Sequence, residues 1–398
     1  MTKPIKFALN LIKQAYLAIL LLLFATQPTQ SQNPYGKFKN GLPADNTFFP
    51  IAVWLQNPSQ AEEYRALGIN LYIGLWKGPT EQQLAALKKA GMMVICEQND
   101  VGIQHIDDKT IVGWMHGDEP DNAQPLGNGK GYGPPIPPQK IIEDYQRIRK
   151  NDPSRPVLLN LGQGVAWDNW IGRGIRRNHP EDYPEYIKGG DIVSFDIYPA
   201  THSSPEVAGN LWYVARGVQR LIDWSKGEKI VWNCIECTQI SNPNRKPTPE
   251  QVRCEVWMSL VHGSHGIIYF VHQWQPKFIE AGLLADKEMA AAVKTINSQI
   301  HDLAPVLNSP KLSENPINVE WTPQQSQIAI MSRSYKGNLY LFAVAMRAIK
   351  TKATFRILTP VTPSVEVLYE NRSINIKNGA FEDDFEPYAV HLYKIKEK

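Results

Sequence analysis

Two adjacent carboxylates, Asp118 and Glu119, end the run Ile111-Val112-Gly113-Trp114-Met115-His116-Gly117 and are followed at once by Pro120. Proline has no N–H to give to a sheet ladder, so an apolar, β-prone run that meets one stops there. Both acids are therefore expected at the C-terminal tip of a strand, where the chain turns into a loop. A second run, Lys229 to Thr238, has the same form and carries Glu236 near its end. Two carboxylates on opposite sides of a glycosidic bond can deliver a proton to the leaving oxygen and supply a nucleophile, or an activated water, at the anomeric carbon. One of them must stay protonated near neutral pH, which burial or a neighbouring negative charge arranges. Asp118 supplies that charge next to Glu119. This gives Glu119 the acid/base role and leaves Glu236 as the nucleophile.

Further polar and aromatic residues fall near expected strand tips. Asp196 lies two residues before Tyr198 and is a third candidate acid, with packing or helix capping as its alternative. His116, His202 and His272 are placed to contact substrate hydroxyls or to serve as structural histidines. Trp54, Trp76 and Trp274 offer faces that stack on sugar rings, though aromatic rings also fill cores. Cys234 and Cys237 form a C-x-x-C pattern. On an extended strand, residues three apart point to opposite faces, and no second such pair completes four ligands. Neither a metal nor a cofactor is expected.

The elements that must hold these residues alternate regularly. Strands are predicted at Phe48–Leu55, Ile69–Trp76, Met92–Glu97, the Asp118-Glu119 run, Pro156–Leu161, Asp191–Tyr198, the Glu236 run and Gly266–Trp274. Helices fall between them. Ser59 with Glu62, Thr80 with Gln83, and Thr248 with Gln251 have the spacing of capping boxes, Gly91 suits a helix end, and Pro249 a first helical turn. A long helix from about Asp286 to Leu303 follows the last strand. Eight non-alternating apolar strands interleaved with helices predict a parallel sheet covered on both faces, closed as a (β/α)8 barrel over residues 33–310. The stretch Gln124–Pro138 is dense in glycine and proline and is expected to be a loop beside Glu119, either a plain surface loop or a cleft wall.

Beyond Pro310 the pattern changes to short alternating runs split by turn residues, at Ile317–Trp321, Ile328–Ser332, Leu339–Val344, Ala353–Leu358, Val365–Tyr369 and Ala389–Tyr393. Residues 311–398 therefore read as a small antiparallel β-sandwich. At the other end, Lys3, Lys6 and Lys13 precede an apolar run, Ala15–Ala25, and a polar exit, Thr26–Gln32. That order describes a signal peptide over residues 1–32, with a retained anchor as the alternative, and a secreted or periplasmic protein. The apolar run is short beside the roughly 20 residues a membrane span needs, so no stable membrane insertion is expected after its removal. A net charge of +3 over 398 residues, without a basic block interleaved with aromatics, argues against a nucleic-acid partner. Oligomeric state leaves no trace.

Taken together, these positions resemble the large clan of retaining β-glycosidases built on (β/α)8 barrels, with the acid/base after strand four and the nucleophile after strand seven. The resemblance implies a carbohydrate substrate, with Tyr198 hydrogen-bonding the nucleophile and Trp274 flooring the first sugar subsite. Glu255-Val-Trp-Met-Ser-Leu-Val-His-Gly-Ser-His-Gly-Ile-Ile-Tyr-Phe270 is similar to the clan's passage into strand eight. Asp118 stands where the clan has an asparagine that contacts the sugar 2-hydroxyl. Trp76 and Lys77 occupy the tip where it has an arginine. Two other readings remain open: an inverting hydrolase using Glu119 with Asp196, and a carbohydrate-binding barrel without catalysis.

Overall fold

Strands that are apolar on both faces find partners only in a sheet covered on both sides, and helices between them supply the cover. The computed structural model describes residues 33–398; the expected signal segment, 1–32, lies outside them. Strands β1 (Ile51–Trp54), β2 (Leu71–Ile73), β3 (Met93–Cys96), β4 (Ile111–Met115), β5 (Val157–Leu161) and β6 (Ile192–Phe195) pair side by side in chain order, all parallel. The seventh barrel strand is broken at Trp232 into β7 (Ile230–Val231), which pairs with β6, and β8 (Asn233–Glu236), which pairs with β9 (Ile267–Phe270). Since β9 also pairs with β1, the nine segments close into the expected eight-stranded barrel.

The break has a visible cause. The indole of Trp232 fills the barrel floor and donates to the Tyr35 hydroxyl (2.8 Å), which donates to the His265 carbonyl (2.7 Å). Tyr35, Phe38 and Leu42 close that floor beneath Ala52, Leu71, Ile95, Leu158, Ile192 and Ile268. This plug ahead of the first strand carries no periodicity and was not predicted.

Thr80 and Thr248 cap the helices Glu81–Ala90 and Pro249–Val261 with full capping boxes, and Gly91 ends the first at φ +65°. The expected box at Ser59 is not formed. Asn57 accepts from the Ser59 N–H instead, so a 3-10 turn (Pro58–Gln60) precedes the helix Ala61–Ala66. The Gln124–Pro138 stretch is a loop with a single bridge between Pro125 and Tyr132.

After the helix Lys287–Leu307 the chain forms two antiparallel sheets. One joins β10 (Ile317–Thr322), β13 (Thr351–Ile357) and β16 (Ala380–Phe385). The other runs β11 (Ile328–Tyr335), β12 (Asn338–Ala345), β17 (Val390–Glu397), β14 (Val361–Val367) and β15 (Arg372–Asn375). Strands β15 and β16 were not predicted, because Arg-Ser-Ile-Asn is mostly polar and Ala-Phe-Glu-Asp-Asp-Phe carries three consecutive acids. The sandwich docks on the helix Pro249–Val261: Trp257 stacks on Phe342 with ring centres 5.4 Å apart, and Arg253 donates to the Val390 carbonyl (2.8 Å).

Candidate active site

The C-terminal tips of the barrel strands open into a cleft of about 930 Å³. Asp118, Glu119 and Asp196 line it together with Asn160, Gln163, Tyr198, Trp54, Trp76, Trp170, His272 and Trp274. Glu119 stands four residues past the end of β4 with φ at +43°, a left-handed backbone that a side-chain-bearing residue adopts only when its surroundings impose it. The imposition comes from Asp121, which turns into the wall. Its carboxylate accepts from the Gly162 N–H and the Tyr183 hydroxyl, both at 2.9 Å, beside the buried Arg173. Of the three acids in Asp118-Glu119-Pro120-Asp121, two are thereby presented to the cleft and the third is their anchor.

Glu119 Oε2 accepts from Asn122 Nδ2 (2.7 Å), whose own Oδ1 accepts from Trp170 Nε1 (2.9 Å). A Cβ on Gly162 would lie 3.0 Å from Glu119 Oε1, so β5 approaches the carboxylate as closely as glycine allows. Asp118 accepts from Asn160 Nδ2 (2.9 Å), and Asn160 accepts from Ser194 Oγ (2.7 Å). Asp196, just past β6, lines the cleft against Glu119 and beside Tyr198, and its Oδ1 meets no donor. Burial, then the charges of Asp196 and Asp118, holds the Glu119 carboxyl well above its usual range. Burial, joined by Asp118, pushes Asp196 up to about 7. Burial, with Asp121 adding to it, pushes Asp118 to about 6 against the pull of Asn160. Glu119 thus keeps its proton at neutral pH, while Asp196 stands near half-ionised and Asp118 is mostly ionised.

Glu236 is not among them. The structure brings Asp118, Tyr198, Asp196, Trp54, Trp76, His272 and Trp274 to Glu119 but leaves Glu236 in the wall, 0% exposed and away from the cleft lining. Its Oε1 accepts from the Ala200 N–H (2.6 Å), and its Oε2 from the Thr201 N–H (3.0 Å) and hydroxyl (2.7 Å). The loop after β6 claims this carboxylate, which corrects its expected place opposite Glu119. His116 is likewise displaced: it bonds the Gly189 carbonyl (2.8 Å), buried and outside the cleft lining. Cys234 faces the cleft, whereas Cys237 packs in the shell outside the barrel. Among the described residues no group of His, Cys, Asp and Glu is arranged to hold a metal.

Several lining residues were missed. Asn160 had a signal, as a polar residue within the apolar run Val157–Leu161; Gln163 and Trp170 had none. His202 sits behind Gln163. The Ser204 N–H donates to its Nδ1 (3.0 Å), so its hydrogen is on Nε2 and is given to Gln163 Oε1 (2.9 Å). Gln163 is thereby left with its amide nitrogen for the cleft. Gln56 is saturated, accepting from Tyr64 and donating to the Glu280 carbonyl and to His272 Nε2. On the rim, Trp76 is 71% exposed and Trp274 50%, and Phe278 stands 4.9 Å from Trp274 between ring centres. Trp54 is buried at the cleft floor. The Gln124–Pro138 loop does not line the cleft, which leaves it a surface loop.

Residues 140–295, from the helix before β5 to the helix after β9, match the glycoside hydrolase family 42 model, described as beta-galactosidase. Over that stretch the chain is similar to glycoside hydrolases. No curated protein matches the chain in sequence. Among solved structures, the chain is similar to an alpha-amylase from Geobacillus thermoleovorans complexed with acarbose, at 10% identity over 89% of this chain and 99% of that one (TM-score 0.50). It is similar to the maltogenic alpha-amylase AmyB from Thermotoga neapolitana, at 7% identity over 89% and 99% (TM-score 0.51). A bifunctional glucanase-xylanase, CelM2, from a metagenome library is alike at 10% identity over 89% and 96% (TM-score 0.50). At such identities the likeness is one of fold.

Proposed function

We propose that the cleft hydrolyses O-glycosidic bonds of an oligo- or polysaccharide with Glu119 as general acid/base and Asp196 as its partner carboxylate. The observation that carries this reading is the contact between these two acids at the barrel mouth, one with its proton held and the other with an unpartnered oxygen. Glu119 gives its proton to the leaving oxygen, and Asp196 attacks the anomeric carbon. A water activated by Glu119 then releases the sugar from Asp196. Two carboxyls in contact leave no room for the water that an inverting enzyme holds between its acids. Asp118, pinned by Asn160, keeps negative charge beside Glu119. Trp76 and Trp274 stack on flanking sugar rings, and the amide nitrogen of Gln163 donates to a ring substituent.

The beta-galactosidase description of the matched family makes galactosides the first substrates to test. Aryl glycosides and natural oligosaccharides are screened with the wild type, Glu119→Gln and Asp196→Asn. The expected result is turnover in the wild type alone, with a product whose anomeric proton, read by NMR at early times, keeps the substrate's configuration. Inverted product would transfer the role of Asp196 to a base acting on water. Undiminished glycan binding in all three proteins without turnover would leave a binding barrel. The basic and then apolar start of the sequence supports export of the mature enzyme from the cytoplasm, which N-terminal sequencing of the processed protein tests.

A further inference from the structure

The helix Pro249–Val261 carries a fully buried acid, Glu255, against the outside of the seventh strand. Neither of its oxygens meets an N–H or O–H donor. What it touches is another carboxyl, that of Glu236. Two ionised carboxylates in contact inside a protein repel strongly and lose their hydration, so the pair keeps a proton unless a cation compensates. None among the described residues does: the other titratable groups facing the pair are the buried thiols of Cys237 and Cys254 and the hydroxyl of Tyr388.

Where that proton sits follows from donor counting. Glu236 already accepts three hydrogen bonds, from Ala200 N, Thr201 N and Thr201 Oγ1, as an ionised carboxylate does. Glu255 accepts none. We propose that Glu255 is a positioning residue that remains a neutral acid and donates to Glu236, so that the pair clamps Ala200 and Thr201. That turn lies four and five residues beyond Asp196, with Tyr198 between them, and its place fixes where both reach into the cleft. The clamp's bearing on catalysis rests on the assignment of Asp196 made above; the proton on Glu255 does not.

Three variants test it in the full chain. Glu255→Gln keeps the shape and offers an amide N–H to Glu236, whereas Glu255→Leu removes the donor. Glu236→Gln places an amide where Thr201 donates. The folded wild type holds a proton that the unfolded chain releases above the usual glutamate range, so its stability falls as pH rises past that range. Glu255→Gln lacks this loss. Its melting temperature is expected to match the wild type near pH 4 and to exceed it by a margin that grows towards pH 8, while Glu255→Leu and Glu236→Gln stay below wild type throughout. The infrared difference between wild type and Glu255→Gln is expected to contain the C=O stretch of one protonated carboxyl, shifted in D2O. On whichever glycoside the wild type cleaves, Glu255→Leu should lose about tenfold in kcat at unchanged KM, with Glu255→Gln restoring it.

An unchanged pH slope and no missing carboxyl band would overturn the proton on Glu255, whatever the cleft does. A Glu255→Leu enzyme of full kcat beside an inactive Asp196→Asn would overturn the positioning role and leave the active-site reading standing. Slope and band as expected, with no glycoside cleaved, would uphold the protonated clamp and remove the glycosidase reading instead.

Discussion

Glu119 stands in left-handed backbone beyond the end of β4, with one donor, Asn122, and two other acids within reach. Glu236 is the last residue of β8, with three donors closing on it and no exposed surface. A carboxyl that must lose and regain a proton cannot have every lone pair already claimed, and Glu119 keeps that freedom at the cost of a strained φ and like-charged neighbours. A carboxyl that holds a loop in place is best left with nothing to spare. Both residues end strands on the same side of the same barrel. On the proposed reading, the number of donors aimed at each separates chemistry from architecture.

The largest expected effects break this comparison at its chemical end. Glu119→Gln should lower turnover by about 10²–10⁴-fold, the usual contribution of a general acid. Asp196→Gly should be at least as damaged and should regain activity with azide, forming a glycosyl azide. Glu236→Gln should lose about tenfold, through a displaced loop. If azide rescues Glu236→Gly and not Asp196→Gly, Glu236 takes the nucleophile's role from Asp196.

A second prediction separates them by the sign of a stability change. The folded protein holds protons on Asp118, Glu119 and Asp196 that the unfolded chain has lost above the ordinary carboxylate range, so these groups cost stability as pH rises through about 6 and 7. Neutral amides remove that cost. Glu119→Gln and Asp196→Asn should therefore melt above wild type at pH 8 and match it near pH 4, by about 1.4 kcal/mol for each unit of raised pKa relieved. Glu236→Gln should melt below wild type at both, because an amide nitrogen faces the Thr201 donors and about 2–4 kcal/mol of buried hydrogen bonding is lost. Scanning calorimetry at the two pH values reads both signs.

Next in size comes Gly162→Ala. The added methyl meets Glu119 Oε1 at 3.0 Å and Asn122 Oδ1 at 2.8 Å, so the carboxylate must shift while Asp196 remains in place. A shift of a few tenths of an ångström should reduce kcat by about tenfold, with KM changed little. The same substitution at Gly227, at the far end of the helix Trp212–Ser225 with nothing within 4 Å, should leave kcat alone and serve as the control.

The barrel was legible because its strands and helices repeat one pattern, and Glu119 because proline and two acids after an apolar run fix a strand tip. Glu236 was misplaced for a reason that strand counting cannot detect. The count was right, but it says nothing of side-chain direction once a strand is broken, and Trp232 breaks this one. Ala200 and Thr201, which claim the carboxylate, lie 36 and 35 residues away with no sequence mark of that contact. Asp196 was visible as one option among several. Only its contact with Glu119 ranked it above the others.

The smallest predictions concern the sugar platforms, where exposure replaces donor count as the discriminating feature. Trp76 and Trp274 stand half or more exposed beyond β2 and β9, the two neighbours of β1, while Trp54 is 5% exposed and fills the barrel top. An exposed indole contributes stacking to a bound sugar and little to the fold, about 0.5–1.5 kcal/mol. Trp76→Ala and Trp274→Ala should accordingly raise KM by about three- to tenfold at nearly constant kcat, with melting temperatures within a degree or so of wild type. Trp54→Ala should instead lower the melting temperature by many degrees, since removing a buried tryptophan costs about 3–5 kcal/mol. If Trp76→Ala changes kcat more than KM, that ring acts on the transition state rather than on a flanking sugar. The first subsite would then lie beneath β2, and Glu119 would deliver its proton towards β9.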